Sequence, residues 1–228
     1  MSIIPYRKNE PERKRRTLDQ AQVVRAALDL LDEVGMDELT MRRLAERLDV
    51  KAPSLYRHVH DKEELLVLLA DEIAGEIPLV SPKGTWREQL IAMAWNARRG
   101  MLAHRDAARV LASTPPFGPR RLRHIENVMR TLRSAGLSVQ DAALAGYHLN
   151  NFVTEFAADE ARFLALAGRS KTDRKKMFAE VRRHFRTLPP QEYPTLIEMA
   201  DALGKDDADE SFQFGLQILL RGLEKLAK

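Results

Sequence analysis

The chain has 228 residues, 44% of them hydrophobic, which is enough for one or two domains with a core. Cysteine is absent, which excludes disulfides and zinc-thiolate sites and suits a reducing cytoplasm, where we expect the protein to act. No run of about 18 apolar residues occurs, so we expect no membrane partner. The charged N-terminus is not followed by an apolar segment, so we expect no secretory signal.

The net charge of +4 is distributed unevenly. Residues 1–16 hold six basic and two acidic residues, and residues 169–186 hold eight basic and two acidic residues, so the rest of the chain is acidic. Two interpretations stay open, because a basic segment either binds an anionic partner or simply keeps the protein in solution.

Apolar residues recur at intervals of three and four along nearly the whole chain, so we predict an all-α protein. The first predicted helix carries an apolar stripe from Val23 to Val34 and ends in a left-handed cap at Gly35. Thr40 is predicted to cap a second helix, which the segment LDVK interrupts.

A third short helix is predicted over 52–58, because Pro53 fits the first turn of a helix, where no amide donor is needed. Asp61 and Glu64 have the spacing of a capping box and predict the start of a fourth helix, which Pro78 ends. Downstream, the apolar spacing predicts helices near 85–102, 105–112, 119–135, 138–166, 174–187, 194–203 and 209–227.

Two short helices joined by a tight turn after a longer helix are typical of a helix-turn-helix, in which the last helix enters the major groove of DNA. Leu55 and Val59 are expected to hold this helix to the core. The outward residues are expected to be Ala52, Ser54, Arg57 and His58, with Tyr56 and Lys62 placed for phosphates and Arg42 for a phosphate or a base edge. The alternative is an ordinary three-helix bundle with a solvated polar face.

Residues 28–70, LDLLDEVGMDELTMRRLAERLDVKAPSLYRHVHDKEELLVLLA, resemble the DNA-binding domain of the tetracycline repressor (TetR) family. The segments LAHRDAARV (102–110) and FGLQILLRGLEKLAK (214–228) are similar to parts of the C-terminal domain in that family. The resemblance covers most of residues 17–228 and is weakest across 168–194. It implies that the DNA-contacting positions are Arg42, Ala52, Pro53, Ser54, Tyr56, Arg57, His58 and Lys62.

The resemblance also implies a homodimer that binds a double-stranded DNA operator. Independently of it, the helix predicted over 209–227 is apolar nearly all round, so it needs cover on more than one side. The family places this helix and the one over 138–166 in a four-helix dimer interface, where a charge at Leu219 or Leu220 is expected to break the dimer or to abolish folding altogether. The alternative is a helix buried within one subunit.

Family members bind a small-molecule inducer inside the second domain. Most of the candidate contacts are apolar, which favours a largely apolar inducer, although each taken singly also fits a plain core. The two acids among them fit either a cationic ligand or a solvent-exposed helix end. The candidates are Met93, Ala97, Met101, Leu111, Val128, Asn151, Phe152, Glu155 and Asp159.

We expect no metal and no cofactor. The tetracycline-binding members of the family hold a magnesium chelate with side chains at three positions, which are Pro78, Leu111 and Pro115 in this chain. None of these three residues supplies a polar side chain, so a metal-chelate inducer is not expected.

We predict a ligand-responsive, sequence-specific regulator, a repressor that an inducer releases from a palindromic operator. The predicted parts are a basic arm (1–16), a helix-turn-helix domain (17–78) and a ligand-binding and dimerisation domain (79–228). The arm either follows the DNA or is a charged tail. An all-α enzyme using Glu155, Asp159 and Glu160 is one alternative, although the motifs of known catalytic sites are absent. A DNA-compacting protein is another, although residues 17–62 hold seven basic residues against nine acids.

Overall fold

The computed structural model describes residues 18–166, 171–203, 205 and 207–227. These ranges contain twelve α-helices and no β-strand, which confirms the predicted all-α fold. The predicted basic arm lies outside the described residues. The helices are α1 (Gln20–Val34), α2 (Met41–Arg47), α3 (Ala52–Leu55), α4 (Lys62–Glu76), α5 (Trp86–Ala103), α6 (Ala107–Ser113), α7 (Pro119–Ser134), α8 (Val139–Leu166), α9 (Lys171–Arg186), α10 (Pro194–Glu198), α11 (Ala200–Leu203) and α12 (Ala208–Glu224).

The first four helices share one hydrophobic core. Val23 and Leu31 of α1, Leu44 of α2 and Leu69 of α4 are all fully buried in it, at the three- and four-residue spacing that predicted these helices. Ala107 and Val110 of α6 also belong to this core, so α6 packs with the N-terminal helices although it follows them by about thirty residues of sequence. The division of the chain at residue 78 stays a prediction.

Two of the predicted helix starts are confirmed. The side chain of Thr40 accepts a hydrogen bond from the amide of Arg43 (3.2 Å), and Asp61 accepts one from the amide of Glu64 (2.8 Å). The expected capping box is only half formed, because the carboxylate of Glu64 accepts from the amide of His60 (2.6 Å). Glu64 thus ties α4 to the turn that precedes it.

A second core lies between α5, α7, α8 and α12. Leu90, Leu132, Phe212, Leu216 and Leu220 are fully buried in it. Helices α9, α10 and α11 pack mainly on one another at the end of α8. None of the helices in the described ranges is long and apolar enough to cross a bilayer.

Several predicted helices have different bounds in the structure. The third helix stops at Leu55 instead of residue 58, and the chain continues to Val59 in hydrogen-bonded turns. The helix predicted over 194–203 is divided at Met199 into α10 and α11. The helix predicted to start at residue 174 begins at Lys171.

Candidate nucleic-acid interface and ligand site

Helices α2 and α3 are joined by a tight turn over residues 48–51. The amide of Val50 donates to the carbonyl of Ala45 (3.0 Å), and Asp49 adopts a φ of +53°, a conformation that aspartate tolerates better than most residues. The turn therefore fixes the direction of α3 relative to α2, which is the geometry of a helix-turn-helix.

α3 is held from one side only. Leu55 and Val59 are fully buried against the first core, as predicted. The side-chain amide of Gln20 in α1 also donates to the carbonyl of His58 (3.0 Å), which fixes the turn after α3. Five of the predicted DNA-contacting residues are exposed on the opposite side, namely Ala52, Pro53, Ser54, Tyr56 and Arg57, while His58 is half-buried.

The three lysine and arginine residues among the predicted DNA contacts differ in how many of their side-chain donors are already used within the protein. Arg57 has no hydrogen bond or ion pair with any described residue, so its five donors are free. Arg42 is largely exposed and forms a loose ion pair with Glu46 (3.7 Å). Lys62 donates from Nζ to the carbonyl of Met36 (3.1 Å), which leaves two of its three donors for another partner.

Lys51 is a candidate contact that the sequence reasoning missed. It is exposed directly before α3, and its ammonium group forms no hydrogen bond or ion pair within the described part of the chain. A lysine in this place is suited to a backbone phosphate, and its position one residue ahead of the reading helix was the available signal.

The start of α6 is tied to the end of α1. Asp106 accepts a hydrogen bond from the amide of Met36 (2.8 Å), and Arg109 donates to both carboxylate oxygens of Asp37 (2.9 and 3.2 Å). This bidentate contact holds the pKa of Asp37 below its ordinary value. Gly35 between these groups has a φ of +81°, and a side chain there would meet Asp106 at 2.9 Å. Its ψ of 172° differs from the left-handed cap that was expected.

The end of α6 is held by Arg121 of α7. Its guanidinium donates to the carbonyl of Leu111 (3.0 Å) and to the carbonyl and hydroxyl of Thr114 (3.0 and 2.8 Å). Burial lowers the pKa of Arg121, and the negative charge of Asp71 opposes this effect. Both ends of α6 are therefore fixed by charged side chains, one end to α1 and the other to α7.

The predicted ligand contacts fall into two groups. Six of them are packed in or against the second core, between α5, α6, α7 and α8; these are Met93, Ala97, Met101, Leu111, Val128 and Phe152. Asn151 is half-buried on α8. Glu155 and Asp159 are exposed, and Asp159 forms an ion pair with Arg162 one turn along α8. The structure thus brings the apolar candidates together and leaves the two acids outside.

Arg98 of α5 is a buried cation that the sequence reasoning missed. It is 3% exposed and donates to Glu160 through two nitrogens (2.7 and 2.9 Å) and to Asp209 (2.7 Å). Its guanidinium carbon lies 4.9 Å from the ring centroids of both Trp95 and Phe212. Burial opposes the charge of Arg98, but its hydrogen bonds to the two acids leave the net pKa raised.

A cavity of about 530 Å³ opens beside α7. Its lining combines apolar side chains with two arginines and the buried amide of Asn127, which donates to the carbonyl of Val80 (3.0 Å). None of the predicted ligand contacts lines it. The lining residues are Leu79, Val80, Pro119, Leu122, Arg123, Glu126, Asn127 and Arg130.

Two family models match this chain. Residues 23–69 match the model for bacterial regulatory proteins of the tetR family, and residues 78–227 match that for the C-terminal domain of tetracyclin repressor-like proteins. The chain belongs to the TetR family. As a member of this family it is a DNA-binding, ligand-responsive transcriptional repressor that acts as a dimer, and the alternative of an all-α enzyme is excluded.

Individual TetR-family relatives align over nearly the full length. An HTH-type transcriptional regulator of Saccharopolyspora erythraea is 34% identical over 95% of this chain and 90% of its own. The class A tetracycline repressor from transposon 1721 of Escherichia coli is 36% identical, covering 89% of both chains. The crystal structure of the Streptomyces coelicolor TetR family protein ActR in complex with actinorhodin superposes with a TM-score of 0.84 at 36% identity, covering 93% of this chain and 98% of that one.

Proposed function

We propose that α3 and the turn after it lie in the major groove of the operator. The observation that supports this proposal is that α3 and the turn after it have one buried apolar face and one exposed polar face. Leu55 and Val59 are fully buried, whereas Ser54, Tyr56 and Arg57 are exposed. Because Arg57 forms no hydrogen bond or ion pair with the described residues, it is available to pair with guanine O6 and N7, the commonest specific contact of arginine.

The remaining predicted contacts are divided between the bases and the phosphates of the operator. Ala52 and Pro53 begin α3 and approach the bases, while His58 lies at its far end. Arg42, Tyr56 and Lys62 bind phosphates, with Lys62 keeping its hydrogen bond to Met36 through one of its three donors. Phosphate contacts of this kind fix the position of the protein without selecting a sequence.

The inducer is proposed to enter the second core between α5, α6, α7 and α8, where the apolar candidates meet. A largely apolar inducer with an aromatic part fits these surroundings, because the rings of Trp95, Phe152, Phe156 and Phe212 pack together there. ActR, which shares this fold, was solved with actinorhodin bound. Binding of actinorhodin to this chain would be detected as a change in tryptophan fluorescence, because Trp95 lies in the cluster.

The dimer interface is proposed to lie on α8 and α12. Both helices leave apolar side chains exposed in the single chain: Leu144 (52%) and Tyr147 (61%) on α8, and Phe214 (68%) and Ile218 (55%) on α12. The proposed parts of the chain remain the arm (1–16), the DNA-binding domain (17–78) and the regulatory domain (79–228). Since its operator is in the bacterial cytoplasm, we place the protein there.

The proposal is tested by selecting duplexes from a random pool with the purified protein. The selected sequences should contain two inverted half-sites about 34–36 Å apart, or a multiple of that distance. Arg57→Ala should cost about 1–3 kcal/mol on the selected duplex and relax the preference at one base pair in each half-site. If this variant binds with unchanged affinity and preference, α3 does not lie in the groove as proposed.

A further inference from the structure

Three helices end at the imidazole of His104. Asp32 lies in the last turn of α1, Glu76 is the last residue of α4, and His104 itself caps the C-terminus of α5. Nδ1 of His104 is 2.8 Å from a carboxylate oxygen of Asp32, and Nε2 is 2.7 Å from one of Glu76. The ring is 15% exposed. One side chain therefore connects the DNA-binding unit, through α1 and α4, with the first helix of the regulatory domain.

Both contacts are hydrogen bonds to carboxylates when each ring nitrogen carries a proton. A neutral imidazole has one N–H donor and one lone pair, whichever tautomer it adopts. With carboxylate oxygens at both nitrogens, a neutral ring would place a lone pair against an oxygen lone pair at hydrogen-bond distance. Only the imidazolium form donates to Asp32 and Glu76 at once.

The surroundings favour that charged form. Burial by itself lowers the pKa of His104, but the hydrogen bonds to Glu76 and Asp32 outweigh it, so the pKa lies above its ordinary value. The C-terminal ends of three helices add negative partial charge around the ring.

No other described charge substitutes for the imidazolium at Asp32 and Glu76. The guanidinium of Arg105 donates to the carbonyl of Glu33, and only its backbone amide reaches Asp32. Several other charged groups on the adjoining elements are paired elsewhere: Glu33 with Arg47, Asp37 with Arg109, Asp106 with Met36 and Arg109, and Glu72 with Arg120.

We propose that Asp32, Glu76 and His104 form a proton-dependent clamp that holds the DNA-binding unit on the regulatory domain. The clamp is closed when the imidazole is protonated and opens when it loses that proton. Two reading helices bind one operator only when their separation is fixed, so the closed clamp favours operator binding. This functional consequence rests on the DNA-binding role proposed above.

The direction of the pH dependence follows from linkage. A histidine whose pKa is raised by its folded surroundings contributes its full stabilisation below the ordinary histidine pKa, and loses it as pH rises through the raised value. The clamp should therefore be closed on the acid side of that window and open on the alkaline side. Operator affinity should fall several-fold across the same window.

The first test is an NMR titration of the histidine rings in the full chain. The ring of His104 should titrate above the ordinary histidine value, and the double variant Asp32→Asn/Glu76→Gln should move its titration downwards. Asparagine at position 32 keeps an acceptor for the amide of Arg105, so the contact between the end of α1 and the segment after α5 is preserved. A wild-type ring that titrates at or below the ordinary value would overturn the clamp.

The second test measures the affinity for the selected duplex between pH 6 and 8 as a ratio to wild type. The variant His104→Asn should lose the part of the pH dependence that the clamp supplies, and His104→Arg should keep high affinity at every pH. His184→Asn, at an exposed position of α9, is the matched control and should behave as wild type. Since His58 and His60 are present in all four proteins, they contribute equally to each and do not affect the comparison.

A pH profile of His104→Asn that coincides with wild type would refute the control of operator binding by His104. If the wild-type protein selects no duplex at any pH, the proposed DNA function fails, and the NMR titration then decides the clamp by itself. If His104→Asn does not fold, the double variant replaces it, because that variant removes the clamp and leaves the ring in place.

Discussion

The carboxylate of Asp71 in α4 accepts a hydrogen bond from the backbone amide of Arg121 in α7 at 3.0 Å. The same oxygen accepts from the amide of Arg120 at 2.8 Å. α7 begins with Gly118 as its N-cap and has no side-chain cap of its own, so Asp71 supplies the missing acceptor from another helix. A side chain at Gly118 would lie 2.1 Å from this oxygen, so the contact also requires glycine there. Helix α4, which follows the proposed DNA-reading helix α3, is thereby joined to the regulatory domain.

Asp71→Ala should destabilise the protein by about 1–2 kcal/mol, because α7 loses its N-cap and the half-buried Arg121 loses a nearby negative charge. Asp71→Asn keeps the accepting oxygen and should lose less. Urea unfolding followed by circular dichroism gives both values. Equal losses in the two variants would show that the charge matters more than the cap, and no loss in either would contradict the capping role.

The two lysines near α3 should act as phosphate contacts. Lys62→Ala and Lys51→Ala should each weaken binding to all duplexes alike and reduce the slope of log K against log salt by about one unit. Lys62→Ala should additionally lose a little stability, because the carbonyl of Met36 loses its donor. Titrations of a selected and a scrambled duplex at several salt concentrations make the comparison, and a loss confined to the selected duplex would assign base reading to that lysine.

Much of the N-terminal unit follows from its sequence because its signals are local. Thr40 and Asp61 cap helices through amides only three residues away. The spacing of the apolar residues along α1 indicates directly which face is buried. The boundary of α3 was less predictable, because a four-residue helix followed by hydrogen-bonded turns has the same residue spacing as a longer helix.

The connections between distant elements had no local signal. Arg98 lies on the apolar face of α5 between Ala94 and Met101, and its acids at positions 160 and 209, which make its burial possible, are distant in sequence. Nothing near His104 in the sequence indicates its partners, since they are 72 and 28 residues away. Glu155 and Asp159 share a face with apolar residues in sequence, yet both are exposed, while Phe156 and Ala157 between them pack in or against the second core.

The buried contact between Arg98 and Glu160 provides a test of how the regulatory domain is held together. Arg98→Met leaves Glu160, whose side chain is 15% exposed, without its cation, so the loss should be about 3–5 kcal/mol. The double variant Arg98→Met/Glu160→Met should recover much of this loss, because no unpaired charge remains. Asp209, with a side chain 75% exposed, should matter little. Denaturant unfolding of the variants decides the point, and a double variant no more stable than Arg98→Met would show that packing around the rings dominates.

The last prediction concerns the proposed dimer interface. Burial in the structure changes which residues should be substituted to test it. A charge at Leu220 was expected to enter the dimer interface, but Leu220 is fully buried in the core of its own subunit and Leu219 is half-buried. Leu220→Glu should therefore unfold the subunit, because an unpaired buried charge costs several kcal/mol. Ile218, two residues earlier on α12, is 55% exposed and belongs to the proposed interface.

Ile218→Glu should separate the subunits while each keeps its helices, since this side chain is not part of the subunit core. Light scattering should then give a mass near 26.0 kDa, and operator affinity should fall steeply because a single reading head contacts too few base pairs. Leu122→Glu, on the exposed face of α7 at 49% exposure, places the same charge on an apolar position away from α8 and α12 and should stay dimeric. An Ile218→Glu protein with twice the chain mass and full operator affinity would place the interface on another face of the molecule.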